Sequence, residues 1–97
     1  MRTIHKQTLA ERDIKSIWLY SYKNWGEARA DKYYDELSDA IESIVENPHI
    51  GSTCDHIRKG YRKLHVNRHI IFYRVTPEHI RIVRVLGEKM DFPRHFK

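Results

Sequence analysis

Two consecutive stretches with helical periodicity fill the first half of this 97-residue chain, separated only by a short turn. In the first stretch, apolar residues recur every three or four positions from Ala10 to Trp25, which gathers them on one helix face. The second stretch runs from Ala30 to Val45. Gly26 predicts a stop between them, and the proline of Asn47-Pro48 disfavours helical conformation in the residue before it. Helices joined so closely are expected to pack as an antiparallel hairpin.

Strand patterns lie on either side of this hairpin. Residues 2–7 predict a short edge strand, and the spacing of Thr8 and Glu11 is that of a capping box at the start of the first helix. Residues 48–60 lack periodicity and predict a surface loop. Three strands rich in β-branched and aromatic residues follow and predict an antiparallel meander, namely Tyr61–Val66, His69–Val75 and His79–Leu86.

The alternation within the last two strands indicates how they are buried. In the middle strand, both parities carry apolar residues, so both faces of the sheet are expected to be partly covered. The apolar parity shifts between Ile82 and Val83, which indicates a central position or a β-bulge in the last strand. The prediction is therefore a single α+β domain over residues 1–97, with element order β-α-α-β-β-β and the helical hairpin on one face of the sheet.

Charge is divided unevenly between the two halves of the chain. Residues 1–50 hold 7 Lys or Arg against 9 Asp or Glu, whereas residues 51–97 hold 11 against 4, within a net charge of +5. The second half is therefore expected to present a positive surface to an anionic partner, either nucleic acid or an acidic protein.

Several classes of protein are disfavoured by what the sequence lacks. No apolar run approaches the roughly 18 residues of a membrane span, and the N-terminus lacks the apolar segment of a secretory signal, so a cytoplasmic location is expected. The single cysteine, Cys54, is expected to be a small structural side chain. His65 and His69 are four apart in strand and turn rather than on a helix, which disfavours a metal site. Phosphate-binding glycine motifs are absent, and no cofactor is expected.

The catalytic alternative is metal-free RNA cleavage. That reaction requires groups that deprotonate a 2′-hydroxyl, stabilise the phosphate and protonate the leaving oxygen. Residue types that suit these tasks are present in the second half, although their type alone does not show that they converge: Arg58, Arg62, His65, Arg68, Arg74, Arg81, Arg84 and His95.

The order of short motifs resembles the ParE branch of the RelE/ParE superfamily of bacterial toxin-antitoxin toxins over nearly the whole chain. The motifs are Leu9-Ala10 with Asp13-Ile14, Trp25-Gly26 with Ala28 and Ala30, residues 46–51, Ile57-Arg58, residues 60–63, residues 69–74, residues 82–86 and Met90-Asp91. The resemblance implies a helical hairpin packed on a twisted antiparallel sheet. It also implies a toxin that poisons DNA gyrase, by stabilising cleaved DNA or blocking supercoiling, and that forms a hetero-oligomer with a ParD-like antitoxin.

The end of the last strand helps to separate the two branches of the superfamily. RelE-like toxins cut messenger RNA in the ribosome and resemble one another in a Tyr or His at or just beyond that strand. In this chain residues 87–91 occupy that position, and no tyrosine follows Tyr73. Gly87 stands where many ParE sequences carry His. A binding toxin without catalytic residues is therefore favoured, with a ribosome-dependent messenger RNA endonuclease as the alternative.

Two sets of contact residues are predicted. The target is expected to contact the basic sheet and tail, through Arg58, Arg62, Arg74, Arg84, Met90, Asp91, Phe92 and Arg94. The antitoxin is expected to contact the helical hairpin and the adjoining sheet edge, where aromatic side chains offer large apolar area to a partner helix: Tyr20, Trp25, Tyr33 and Tyr34. Filling the core is the competing interpretation of these aromatic side chains.

Overall fold

The computed structural model describes residues 2–90, and its elements follow the predicted order with one short strand added. The elements are β1 Thr3–Lys6, α1 Thr8–Trp25, α2 Glu27–Glu46, β2 Ser52–Thr53, β3 Tyr61–Val66, β4 His69–Val75 and β5 His79–Gly87. The two helices form the predicted hairpin and lie on one face of a five-stranded sheet of order β1-β5-β4-β3-β2. The predicted fold class is confirmed.

The turn between the helices depends on Gly26. Its φ of +92° lies in a region that side chains with a Cβ rarely adopt, and its N–H donates to the carbonyl of Tyr22 to close α1. The predicted capping box at the start of α1 is wrong, because Thr8 is already helical. The N-cap is Gln7, whose side chain makes no capping hydrogen bond.

The sheet is mixed rather than wholly antiparallel, which corrects the prediction. The strands β2 to β5 pair antiparallel, but β1 runs parallel to β5, with Thr3 opposite His79 and Lys6 opposite Ile82. The partner of β1 is β5, more than 70 residues later, so no local pattern specifies the direction of β1. The loop over residues 48–60 also contains β2, two residues that pair with Arg62 and Lys63.

Both faces of the sheet are covered in part, as the alternation in β4 predicts. On the helix-covered face the buried cluster comprises Ala10, Ile14, Leu37, Ile41, Ile44, Ile71, Tyr73, Ile80, Ile82 and Val85. The opposite face, here called the open face, carries a smaller buried cluster of Cys54, Tyr61, Ile70, Phe72, Val83 and Leu86, with Ile57 packed against it. Cys54 is fully buried, and burial raises the pKa of its thiol, which suits a structural side chain rather than a thiolate nucleophile.

The predicted irregularity in β5 is a bulge at a central position. Phe72 pairs with Arg84 whereas the next residue, Tyr73, pairs with Ile82, so Val83 is the extra residue of β5. Before the bulge, Ile82 joins the helix-covered cluster, and after it Val85 does so. The bulge thus changes which parity of β5 faces the helices, and it lies next to Arg84.

The end of α2 is tied to the sheet by Tyr73. The Tyr73 hydroxyl donates to the carbonyl of Pro48 at 2.8 Å and accepts from the N–H of Gly51 at 3.0 Å. A Cβ at Gly51 would lie 2.5 Å from the carbonyl oxygen of Lys63 and 2.8 Å from the Tyr73 hydroxyl. The chain can pass this close to the sheet only because residue 51 lacks a side chain.

Neither helix, nor any other within residues 2–90, is both long and apolar enough to cross a membrane.

Candidate functional site

A groove of about 1140 Å³ runs between the helical hairpin and the β3–β4 turn. We call it the aromatic groove. It is lined by Ser16, Ile17, Tyr20, Ser21 and Trp25 of α1, by Arg29, Lys32, Tyr33 and Glu36 of α2, and by Asn67, Arg68 and His69 of the turn and β4. Three of the four predicted antitoxin contacts, Tyr20, Trp25 and Tyr33, therefore share one surface.

The wall of this groove presents exposed aromatic area. The side chains of Tyr20 and Trp25 are 61% and 57% exposed and meet edge to face, with ring centroids 5.8 Å apart. The guanidinium of Arg29 lies over the Trp25 ring at 5.8 Å from its centroid. These two rings are exposed, so the interpretation of them as core-filling side chains is wrong. The periodicity of α1 also places Trp25 on the apolar face of the helix, but the structure exposes it.

The floor of the groove is formed by Tyr33 and His69. The Tyr33 hydroxyl hydrogen-bonds to Nδ1 of His69, and the two ring centroids are 5.4 Å apart. Burial lowers the pKa of His69 and raises the pKa of Tyr33, so both side chains favour their neutral forms. The Tyr33 hydroxyl also donates to the carbonyl of Val66 at 3.4 Å, so the phenol and the imidazole are held together as a fixed part of the floor.

The rim of the groove carries more positive than negative charge. Arg29 and Lys32 on α2 and Arg68 in the turn are exposed, whereas the acidic member of the lining, Glu36, accepts a hydrogen bond from Asn67. Asn67 has a φ of +53°, which shapes the tight β3–β4 turn. The groove therefore combines an apolar wall with a basic rim.

The fourth predicted antitoxin contact, Tyr34, lies elsewhere. It lines a smaller depression of about 540 Å³ with Trp18 and Lys6. There the indole of Trp18 stacks on Tyr22 at 5.2 Å and donates to Asp31 at 2.9 Å. The structure thus divides the predicted set between the two sides of the hairpin.

Of the basic residues predicted to contact a target, Arg84 and Arg62 are used inside the fold. Arg84 donates to both carboxylate oxygens of Asp13, and their side chains are only 14% and 15% exposed. That hydrogen bond raises the pKa of Arg84. Arg62 donates to the carbonyls of His49 and Gly51 at 3.2 and 2.8 Å. Both guanidinium groups are occupied in holding elements together, which argues against target contacts through them.

Arg58, Arg74 and Met90 lie at the surface. Arg74 shares its parity in β4 with Ile70 and Phe72 and therefore points to the open face. Met90 is 43% exposed, and its sulfur accepts a hydrogen bond from the N–H of Gly87 at 3.2 Å. The remaining predicted contacts, Asp91, Phe92 and Arg94, lie outside the described residues.

The candidates of the ribonuclease alternative do not all lie together, although Arg74 and Arg81 are paired on the open face. His65 is on the exposed side of β3 and pairs with Glu88 at 2.7 Å, while Arg84 is bound to Asp13 and Arg62 to the loop after α2. His95 lies outside the described residues. Nor do residues 2–90 contain a group of three or more His, Cys, Asp or Glu that could hold a metal ion.

Sequence reasoning missed several residues of these surfaces. Arg29 contacts Trp25 across the turn at Gly26, between two different helices, so helical spacing gives no signal for this pair. His69 and Arg68 reach the groove only through the fold, because they are far from α1 and α2 in sequence. Asp13 was singled out only as part of a motif, and its pairing with Arg84 leaves no local sequence signal.

Comparisons with known proteins agree with this fold and also indicate a protein family. The model of the family described as "ParE toxin of type II toxin-antitoxin system, parDE" matches residues 6–92. The chain is 46% identical over 87 residues to a protein named Toxin ParE1 from Mycobacterium tuberculosis, covering 89% of each chain. It is 38% identical over 86 residues to a Toxin ParE1 from Caulobacter vibrioides, covering 89% of this chain and 88% of that one.

Solved structures share the fold at lower sequence identity. A chain from the chromosomal ParDE toxin-antitoxin system of Pseudomonas aeruginosa superposes with a TM-score of 0.79 at 18% identity, covering 90% of this chain and 96% of that one. The YoeB dimer from Staphylococcus aureus gives a TM-score of 0.64 at 23% identity, covering 88% and 94%. At these identities the likeness concerns the fold alone.

Proposed function

The chain belongs to the ParE toxin family of type II toxin-antitoxin systems, and from that premise we propose that it inhibits DNA gyrase by binding it and is neutralised by a ParD-like antitoxin. Membership of the family, over nearly the whole chain, is the observation that carries the proposal. The action is that of a protein inhibitor in the cytoplasm, without a cofactor. A toxin of this kind needs only to bind one conformational state of gyrase more tightly than the others.

The aromatic groove is the proposed antitoxin site. An amphipathic helix binds such a groove through apolar anchors at helical spacing, and Tyr20 and Trp25 supply the complementary exposed rings. The basic rim formed by Arg29, Lys32 and Arg68 favours a segment that also carries acidic residues. A peptide with apolar residues on one face and carboxylates beside them therefore fits both the wall and the rim.

The open face and the chain beyond Leu86 are the proposed target surface. The surface residues here are Arg58, Arg74 and Met90, and the proposal includes Asp91, Phe92 and Arg94 by sequence alone. Arg62 and Arg84 are removed from the set, because each guanidinium is bound within the fold. The open face lies opposite the helices, whereas the chain beyond Leu86 adjoins the groove, since Gly87 pairs with His69 and the N–H of Glu88 donates to the carbonyl of Arg68.

The proposal is tested by supercoiling of relaxed plasmid with purified gyrase and increasing amounts of the folded chain. We expect loss of supercoiling or accumulation of cleaved plasmid, and we expect the antitoxin to reverse either effect. Met90→Ala should weaken inhibition, while Lys23→Ala, at an exposed position on α1 outside both proposed surfaces, should leave it unchanged. If gyrase is unaffected and the same protein cuts messenger RNA in a translating extract, the endonuclease alternative replaces this proposal.

A further inference from the structure

Three basic side chains lie side by side across the open face. Arg81 of β5 is directly opposite Arg74 of β4 on one side and directly opposite His5 of β1 on the other. Neighbouring strands are about 4.8 Å apart, so the three form a short row perpendicular to the strands. All three residues are exposed. We call them the cationic row.

The cationic row does not stabilise the sheet. Like charges directly opposite each other on paired strands repel and destabilise the pairing. Arg74 and Arg81 occupy such positions, and within residues 2–90 neither makes an ion pair that would offset the repulsion. Arg84, by contrast, is neutralised by Asp13. A sheet that keeps two uncompensated arginines adjacent is suited to an anion that lies across both.

The loop before β3 extends the positive surface at one end of the row. The position that a Cβ of Gly60 would take is 3.8 Å from Nε of Arg74, so residues 58–60 lie beside that arginine. This segment brings the exposed residues Arg58 and Lys59 to the same end. The acidic residues nearby are Asp55, which accepts from the N–H of Gly60, and Glu78 in the turn before β5. With the three side chains of the row, five basic side chains therefore lie in this region, against the two carboxylates of Asp55 and Glu78.

The side chains around the row indicate the class of anion. Single-stranded nucleic acid is held largely by stacking of bases on exposed aromatic rings. On the open face Phe72 is fully buried and Tyr61 is 9% exposed, whereas the large exposed aromatic residues of the described chain all lie on the helices. Arginine forks suit phosphate oxygens, and rigid duplex DNA presents phosphates at close, regular spacing.

We propose that the cationic row, with the adjoining segment of residues 58–60, binds the phosphate backbone of duplex DNA without selecting a sequence. The inference rests on the proposed function for its role, since gyrase acts on duplex DNA and a toxin bound to gyrase would meet that duplex. The predicted contact can be tested without gyrase, because it involves only this chain and DNA.

The experiment measures binding of the purified full chain to a fluorescently labelled duplex of about 20 base pairs by anisotropy, over a range of salt concentrations. The test variant is Arg74→Gln with Arg81→Gln. The matched control is Arg12→Gln with Lys23→Gln, which removes the same charge from exposed positions on α1. Circular dichroism of each variant verifies that it is folded.

We expect the test variant to bind duplex DNA about tenfold more weakly and to flatten the plot of log affinity against log salt by about 1 to 2 in slope. The control should keep the slope of the original chain. Equal losses in both variants, tighter binding of a single strand than of the duplex, or no binding of duplex by the folded chain would each overturn the inference. So would binding of poly-glutamate, but not DNA, that depends on the two arginines.

The outcome is separable from that of the proposed function, because the binding assay contains no gyrase. Inhibition of supercoiling by a chain that does not bind duplex DNA would overturn the cationic row as a DNA site and leave the gyrase proposal standing. Binding of DNA that depends on the row, without inhibition, would support the inference and contradict the gyrase proposal.

Discussion

Arg84 and Asp13 form a two-point ion pair that joins the first helix to the last strand. Nε and Nη2 of Arg84 donate to the two carboxylate oxygens of Asp13 at 2.7 and 2.9 Å. The same carboxylate accepts from the N–H of Val85 at 3.0 Å, directly after the bulge. The pair therefore fixes α1 against the irregular part of β5, where the regular ladder is interrupted.

Asp13→Ala is expected to destabilise the chain by about 3 kcal/mol, because it leaves a mostly buried guanidinium without its counter-charge and Val85 without its acceptor. The measurement is the free energy of unfolding from urea titration at neutral pH. Asp39→Ala, which removes an exposed carboxylate from α2, is the matched control and should change that free energy little. Equal effects of the two substitutions would contradict the role assigned to Asp13.

Gly51→Ala is expected to cost about 2 kcal/mol, since its Cβ would overlap the Lys63 carbonyl and the Tyr73 hydroxyl. Gly87→Ala is the control, because there the nearest atom, Cγ of Met90, is 3.5 Å away, at an ordinary contact distance. Thermal unfolding followed by circular dichroism compares the two. A Gly51→Ala variant as stable as Gly87→Ala would show that the loop after α2 does not need its close approach to the sheet.

Trp25→Ala is expected to weaken antitoxin binding by about 2 kcal/mol, roughly 30-fold in Kd, because it removes an exposed ring from the wall of the aromatic groove. Tyr34→Ala tests the division of the predicted set, since Tyr34 lies in the smaller depression on the other side of the hairpin. Titration calorimetry with the purified antitoxin gives both affinities. A larger loss for Tyr34→Ala than for Trp25→Ala would place the antitoxin on that other side.

The stability of the chain is expected to fall as the pH drops below about 6.5, through the half-buried His69. Its pKa is lowered from 6.5 in the folded chain, chiefly by burial, so the unfolded chain binds the proton more readily. The contribution of His69 to the free energy of unfolding is therefore complete above the pKa of the unfolded chain. It is lost as the pH falls through the lower pKa of the folded chain. Glu88 opposes the shift but does not cancel it.

His69→Gln removes this titration and should make the decline in unfolding free energy between about pH 7 and 5 shallower. His56→Gln, in the exposed loop before β3, is the control and should retain the decline of the original chain. Urea titrations across that pH range provide the comparison. Parallel pH curves for the original chain and His69→Gln would contradict the assignment.

The parts of the fold that local pattern could predict are those that depend on neighbouring residues. Gly26 and Asn47-Pro48 bound the helices as predicted, and β3 and β4 have the predicted limits. The parallel placement of β1 could not be predicted, because its partner β5 lies at the other end of the sequence. Thr8 is of a residue type that often caps helices, but it lies one residue inside α1, whose N-cap is Gln7.

The contact surfaces also divide into features that local sequence predicts and features that depend on distant residues. Residue type favours aromatic contacts at Tyr20 and Trp25 and a contact at Arg74, all of which are exposed, whereas helical periodicity places Trp25 on the apolar face of α1. Residue type could not separate Arg74 from Arg84, since both are arginines on neighbouring strands of a basic region. Only the position of Asp13 shows that Arg84 is internal. Arg81 became significant only through the register that sets it beside Arg74.

The parallel pairing of β1 with β5 has a consequence for synthesis of the chain. Thr3 hydrogen-bonds to His79, 76 positions later, so β1 must wait until β5 has left the ribosome before it can pair. Contacts of such long sequence separation form late and slowly. A nascent chain can already have both helices while the sheet is incomplete. Neither the cationic row nor the ion pair of Asp13 with Arg84 exists until β5 emerges. A growing polypeptide of this kind therefore lacks its basic sheet surface until β5 has left the ribosome.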